Sequence, residues 1–216
     1  MSFTCAYRKA AKDYDRKWRT TDKTLYDLCR RFPGHGDRGQ VNAKLCIIGR
    51  TYATRIESMI PSDGKQGSSM SKLAQHLHKC AGKADALFTQ LRQVQLPLNP
   101  GKLSTIVAVH GQFIALIQPV LRPNQSPRSF TSKYMHFHCP TVPIIDRFAD
   151  AALRRLVHWR KSFCLPDLPK DVDGYYAKYA SRFGQLYQQA CDSGLKPRVK
   201  YLDWYLLHAS GATARE

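Results

Sequence analysis

Acidic residues are scarce in this chain: 16 Asp and Glu stand against 34 Lys and Arg in 216 residues, a formal net charge of +18 at pH 7. A surface so poor in carboxylates does not suit a cationic partner and attracts polyanions, nucleic acid first among them. Closely spaced cysteines are also missing, since the seven present form no tight pattern. With no charged segment and apolar run at the start, a secreted disulfide scaffold is not expected and a reduced, cytoplasmic protein is. There is no uninterrupted apolar run of membrane length either. The longest, Ser104 to Leu121, is broken by His110, Gly111, Gln112 and Gln118, so a core helix is expected there and no membrane association. Strict alternation of apolar and polar residues is rare, which argues against sheets.

What remains is a chain 43% hydrophobic and 11% aromatic with helical periodicity throughout, so a mostly α, multi-helix globular fold is expected. Residues 1–60 read as a basic helical arm packing on an α-helical core over 70–216. In the arm, a helix ending at Phe32, with Thr21 or Asp22 as a cap, precedes a second from about Val41 to Ser58 carrying Leu45, Ile48, Tyr52 and Ile56 on one stripe. The run Pro61 to Ser69 reads as a loop. Further helices are expected over Ser71 to Val94, with a break near Gly82, and over Leu103 to Ile117, capped by Asn99 and central to the fold. The next starts at Ser126 and Pro127 and ends near His138, and an extended link follows from Thr141 to Ile145. Asp146 is placed to cap a helix to about Lys161, with Trp159 inward and Arg160 outward. Two last helices cover Asp171 to Cys191 and Lys200 to His208.

The most distinctive segment is Ser126 to Leu156, where Lys133 precedes the step Pro143-Ile144-Ile145-Asp146 and then Arg147-Phe148-Ala149. It resembles the catalytic segment of the helix-hairpin-helix DNA glycosylase superfamily. There a lysine-bearing helix leads through a short extended link to an aspartate that opens the next helix. The family's glycine-rich hairpin is absent, and Arg122 to Pro127 stands in its place. The resemblance implies an enzyme that binds duplex DNA, flips a nucleotide and cleaves its N-glycosidic bond, needing no cofactor and no metal. Asp146 would stabilise the cationic sugar, and Lys133 would be a Schiff-base nucleophile if the enzyme is also an AP lyase.

Arg50, Arg55, Arg122, Arg128, Ser129 and Arg147 are the expected DNA contacts, with His136 and His138 touching DNA or orienting the lysine. Tyr52, Tyr134 and Phe137 are the candidates for stacking on a base. The bland reading of Asp146 is a helix cap, and that of Lys133 a solvated helix position. His76, His78 and Cys80, and His136, His138 and Cys139, concentrate metal-ligand types, but residues two apart on a helix diverge by about 200° and no site is expected. Cys139 beside His138 is set aside as a nucleophile, because adjacency in sequence gives no geometry. The alternatives are a non-catalytic nucleic-acid-binding protein on the same scaffold and, more distantly, an interaction subunit for an acidic partner. Which base would be read, DNA versus RNA and the oligomeric state are open.

Overall fold

Ser2 accepts a hydrogen bond from the Cys5 amide and so starts the first helix of a chain in which every regular element among the described residues is helical. The computed structural model describes residues 2–61, 69–158 and 164–212. In chain order the α-helices are α1 (Phe3–Lys17), α2 (Arg19–Arg31), α3 (Arg38–Thr51), α4 (Ile56–Met59), α5 (Ser69–Lys79) and α6 (Ala81–Arg92). Then follow α7 (Pro100–Ile117), α8 (Arg128–His138), α9 (Arg147–Leu156), α10 (Gly174–Asp192) and α11 (Val199–Ser210).

Helix α1 buries Tyr7, Ala10 and Tyr14, spaced three and four apart, and packs that stripe on α11. Phe3 meets Tyr205 edge-on at 5.2 Å and Tyr14 meets Trp204 at 5.9 Å, while Asp13 accepts from His208 at 2.9 Å. The basic N-terminal arm is thereby part of the one continuous core that runs from Tyr7 to Leu206. The arm's first helix is broken at Trp18 into α1 and α2. Asp22, read as a cap, instead sits fully buried in the first turn of α2, accepting from the Tyr14 hydroxyl at 2.6 Å.

The second helix also ends earlier than its periodicity predicts. After Thr51 the chain turns through Ala53 and Arg55, both at positive φ (46° and 58°), and the Thr54 amide and hydroxyl bond back to the Gly49 carbonyl at 3.0 and 3.1 Å. Two non-glycine residues in the left-handed region are a local strain that the surrounding packing must hold. Gly49 itself allows α3 and α5 to close, since a Cβ there would stand 2.4 Å from the Met70 methyl and 3.3 Å from Ile56. The expected loop falls mostly at 62–68, outside the described residues. The break near Gly82 occurs at Cys80, between α5 and α6.

Helix α7, capped by Asn99 through the Lys102 amide at 2.9 Å, is the centre of the fold. It is long and apolar enough to span a membrane by length and composition. Its Leu103, Ile106, Val107, Val109, Phe113 and Ile117 are buried against α6, α8 and α10. Helix α8 is surrounded, with α2, α3 and α7 all packed on it. Its cap position is Pro127, with no side-chain cap bond, so Ser126 does not play the capping role expected of it. Asp146 does cap α9: its Oδ1 accepts from the Phe148 and Ala149 amides, each at 2.9 Å. That helix stops at Leu156, where Val157 turns extended, and Trp159, Arg160 and Lys161 lie outside the described residues.

Candidate active site

Lys133 and Asp146 meet at one pocket of about 290 Å³. One side comes from α8, the link before α9 and the first turn of α9, which supply Lys133, Ile144, Asp146 and Phe148. The turn after α3 brings Tyr52, α1 and α2 bring Tyr14, Trp18 and Asp22, and α11 brings Lys200, Asp203 and Trp204. Aromatic walls enclosing a few charged groups are the usual constitution of a site that takes a planar ligand.

Burial and pairing make the two lysines of this pocket unlike. Lys133 is 6% exposed, and its Nζ donates to the Tyr52 carbonyl at 3.3 Å. Burial pulls its pKa below the ordinary lysine value, against the Asp146 and Asp203 carboxylates that raise it, and the Lys200 charge lowers it further. Lys200 is held between Asp203 at 3.2 Å and Asp22 at 3.4 Å. Burial would lower its pKa too, but those two carboxylates outweigh it and the ammonium is stabilised. Lys133 is therefore the amine suited to act as a nucleophile and Lys200 a fixed cation. Asp22 is saturated, accepting from the Tyr14 and Tyr52 hydroxyls as well as from Lys200. Burial pushes the Asp203 carboxyl up to about 6, against the neighbouring Lys200 and with the Asp146 charge adding to the rise.

A shallower depression of about 240 Å³ adjoins the first and shares Asp146 with it. Arg128, Ser129 and Arg147 line it, beside Ser126 and Tyr175. Arg128 is bound to Asp173 by two bonds of 2.5 and 2.9 Å and covers the Tyr175 ring at 4.5 Å. Arg147 lies over Phe148 at 4.5 Å. Arg50, Arg55 and Arg122 are exposed but line neither depression, and Arg50 pairs with Glu57 at 2.9 Å.

Three other candidate residues belong to the core, and His138 beside them is partly buried. Tyr134 is fully buried among Phe88, Phe113 and Phe130, and its hydroxyl meets His35 Nε2 at 3.0 Å. Phe137, 2% exposed, packs behind Tyr52 at 5.1 Å. His136 is fully buried, with Nδ1 2.7 Å from the Val142 carbonyl and Nε2 on the Tyr26 hydroxyl. His138 stacks on His35 at 5.6 Å, and its Nε2 is enclosed without a partner. Tyr134, His136 and Phe137 are enclosed by the helices packed on α8 and are not placed to contact DNA or stack on a base. Of the three proposed stacking residues, only Tyr52 reaches the pocket. Among the described residues no three potential metal ligands cluster.

Lys200, Asp203, Trp18 and Trp204 went unnoticed in the sequence. The available signal was a lysine and an aspartate three apart, Lys200 and Asp203, inside the apolar series Val199, Leu202, Trp204 and Leu206. Charges on an apolar stripe belong either in a pair or in a site. The chain matches no family model, no curated protein and no solved structure.

Proposed function

We propose that this chain is a DNA glycosylase-like enzyme that flips a nucleotide into the aromatic pocket and cleaves its N-glycosidic bond. The observation that carries the proposal is that Lys133 and Asp146, 13 positions apart, line the same pocket, with the lysine's charge disfavoured by burial. Base loss builds positive charge on the sugar, which the Asp146 carboxylate offsets. Its Oδ1 is taken up by the α9 cap and its Oδ2 is not part of that cap. A neutral Lys133 amine attacking C1′ displaces the base, forms a Schiff base after ring opening and so permits strand cleavage. The excess of 34 basic over 16 acidic residues supplies the sequence-independent attraction to duplex DNA, with Arg128, Ser129 and Arg147 lining the depression that shares Asp146.

Borohydride trapping on duplexes bearing abasic, oxidised, deaminated and alkylated bases tests this directly. Wild type should give a covalent adduct that Lys133→Gln loses. An adduct that survives the substitution assigns the chemistry to another amine, and base release without an adduct leaves Asp146 activating water. Neither base release nor adduct on any duplex, with binding retained, favours a non-catalytic binding protein. The use of Asp146 Oδ1 as a helix cap is the observation that speaks for that second reading.

A further inference from the structure

Asp203 is the one carboxylate of the pocket with an oxygen that the fold encloses and leaves unmatched. The residue is 2% exposed, Oδ2 is tied to Lys200 at 3.2 Å, and Oδ1 is buried with no hydrogen-bond partner. An ionised carboxylate oxygen enclosed in this way carries a large desolvation cost, whereas a protonated one needs only an acceptor. Among the described residues none supplies that acceptor, and the side chain lines the pocket. The titratable groups that act on it are Lys200 on its own helix, Lys133 on α8, Asp146 before α9, Tyr26 on α2 and Tyr179 on α10, and α1 packs on the same helix with Tyr14 against Lys200.

We infer that Asp203 is the proton donor of this pocket, its Oδ1 carrying a hydrogen that it gives to a ring nitrogen of the base bound there. The inference rests on the glycosylase reading and adds to it the residue that receives the leaving group. In the step, the C1′–N bond breaks and its electron pair passes to the base. The Asp203 O–H breaks, its proton goes to the base nitrogen, and the Lys133 amine or a water forms the new bond at C1′. Asp203 is left as a carboxylate against the Lys200 ammonium, which is already in place to hold it. A carboxyl that titrates near 6 is matched to giving up a proton at neutral pH. Lys200 thus acts through Asp203 as a positioning residue, and the ligand class is a base that leaves as an anion unless protonated.

The test is single-turnover base release between pH 5 and 9, on whichever duplex the wild type acts. Asp203→Asn keeps the shape and the bond to Lys200 but has no proton to give. It should release base roughly 100- to 10,000-fold more slowly. It should also lose the alkaline fall in rate that the wild type shows, and Asp203→Glu should restore that fall. An Asp203→Asn rate and pH profile like the wild type's overturns the inference and leaves the glycosylase reading intact. If wild type releases no base at all, the glycosylase reading fails. The infrared carbonyl band of a protonated carboxylic acid then decides Asp203. A band that grows in wild type as the pH falls and shifts in Asp203→Glu retains the donor, and no such band overturns it. The same measurement on wild type and Asp203→Glu serves if Asp203→Asn does not fold.

Discussion

Lowering the pH from 7 to 5 should remove much of this protein's stability, and the amount follows from its buried histidines. Burial pulls His35 and His110 down to about 4 and His136 to about 3, while the unfolded chain titrates near 6.5. A base whose folded pKa is depressed costs nothing above the unfolded value. Its stability is lost as the pH falls from about 6.5 toward the folded pKa, because only the unfolded state takes up the proton. Between pH 7 and 5 each of the three loses about 2 kcal/mol, or close to 6 kcal/mol together. Asp203 works in the opposite direction. Its carboxyl, raised to about 6, binds a proton in the folded state first and recovers about 1 kcal/mol over the same interval. The net loss of about 4 to 5 kcal/mol compares with a total stability of about 5–15 kcal/mol for a typical domain.

Urea unfolding at pH 7 and pH 5 reads this directly. With a slope of about 2 kcal/mol per molar, the midpoint should drop by roughly 2 M. His110→Phe should flatten the dependence by about one histidine's share. Its ring stacks on Tyr176 at 3.8 Å, and its one bond is Nε2 to the Arg128 carbonyl at 3.3 Å, so an apolar ring fits the role. A midpoint that does not move between the two pH values would refute the claim that these imidazoles are buried neutral.

Asp146→Asn should abolish base release with DNA affinity unchanged or raised, and shift the melting midpoint little, because asparagine caps a helix as well as aspartate does; turnover equal to wild type would make the carboxylate purely structural. Duplex DNA binding should weaken steeply with salt, the logarithm of affinity falling by about 0.9 per decade of salt for each phosphate contacted, and failure to retard any DNA or RNA at about 50 mM salt would remove both the glycosylase and the binding-protein readings. Arg147→Ala should weaken binding with a slope about one contact smaller, whereas Arg50→Ala, outside both depressions, should change it less.

The parts of this architecture governed by local chemistry were readable in the sequence. Asp146 begins α9 because its side chain satisfies amides two and three residues ahead, and Asn99 begins α7 in the same way. Burial was not local. Helix α8 reads as a short amphipathic element with Lys133 on an aromatic face, yet eight consecutive residues from Phe130 to Phe137 are buried, and no periodicity announces a helix enclosed on most of its sides. Hence Tyr134, His136 and Phe137, named as candidates for base stacking or DNA contact, lie in the core that their helical spacing also allowed. The site was half visible for the same reason. Lys133 and Asp146 lie 13 residues apart and belong to one pattern, but Asp22 and the Lys200–Asp203 pair come from helices far away in sequence, whose meeting only packing decides.

The packing of α1 on α11 gives the pocket an order in time. Asp13 and Trp204 are joined across 191 positions, and Tyr14, Trp18, Lys200 and Asp203 form a single wall. Contacts of such sequence separation carry the largest loop-closure cost. During synthesis the lysine of α8 is made, and its helix can form, well before the carboxylate and ammonium of α11 leave the ribosome. The amine therefore has Asp146 beside it early and gains Asp203 and Lys200 only when α11 docks, so the pocket is walled last on its α1 and α11 side.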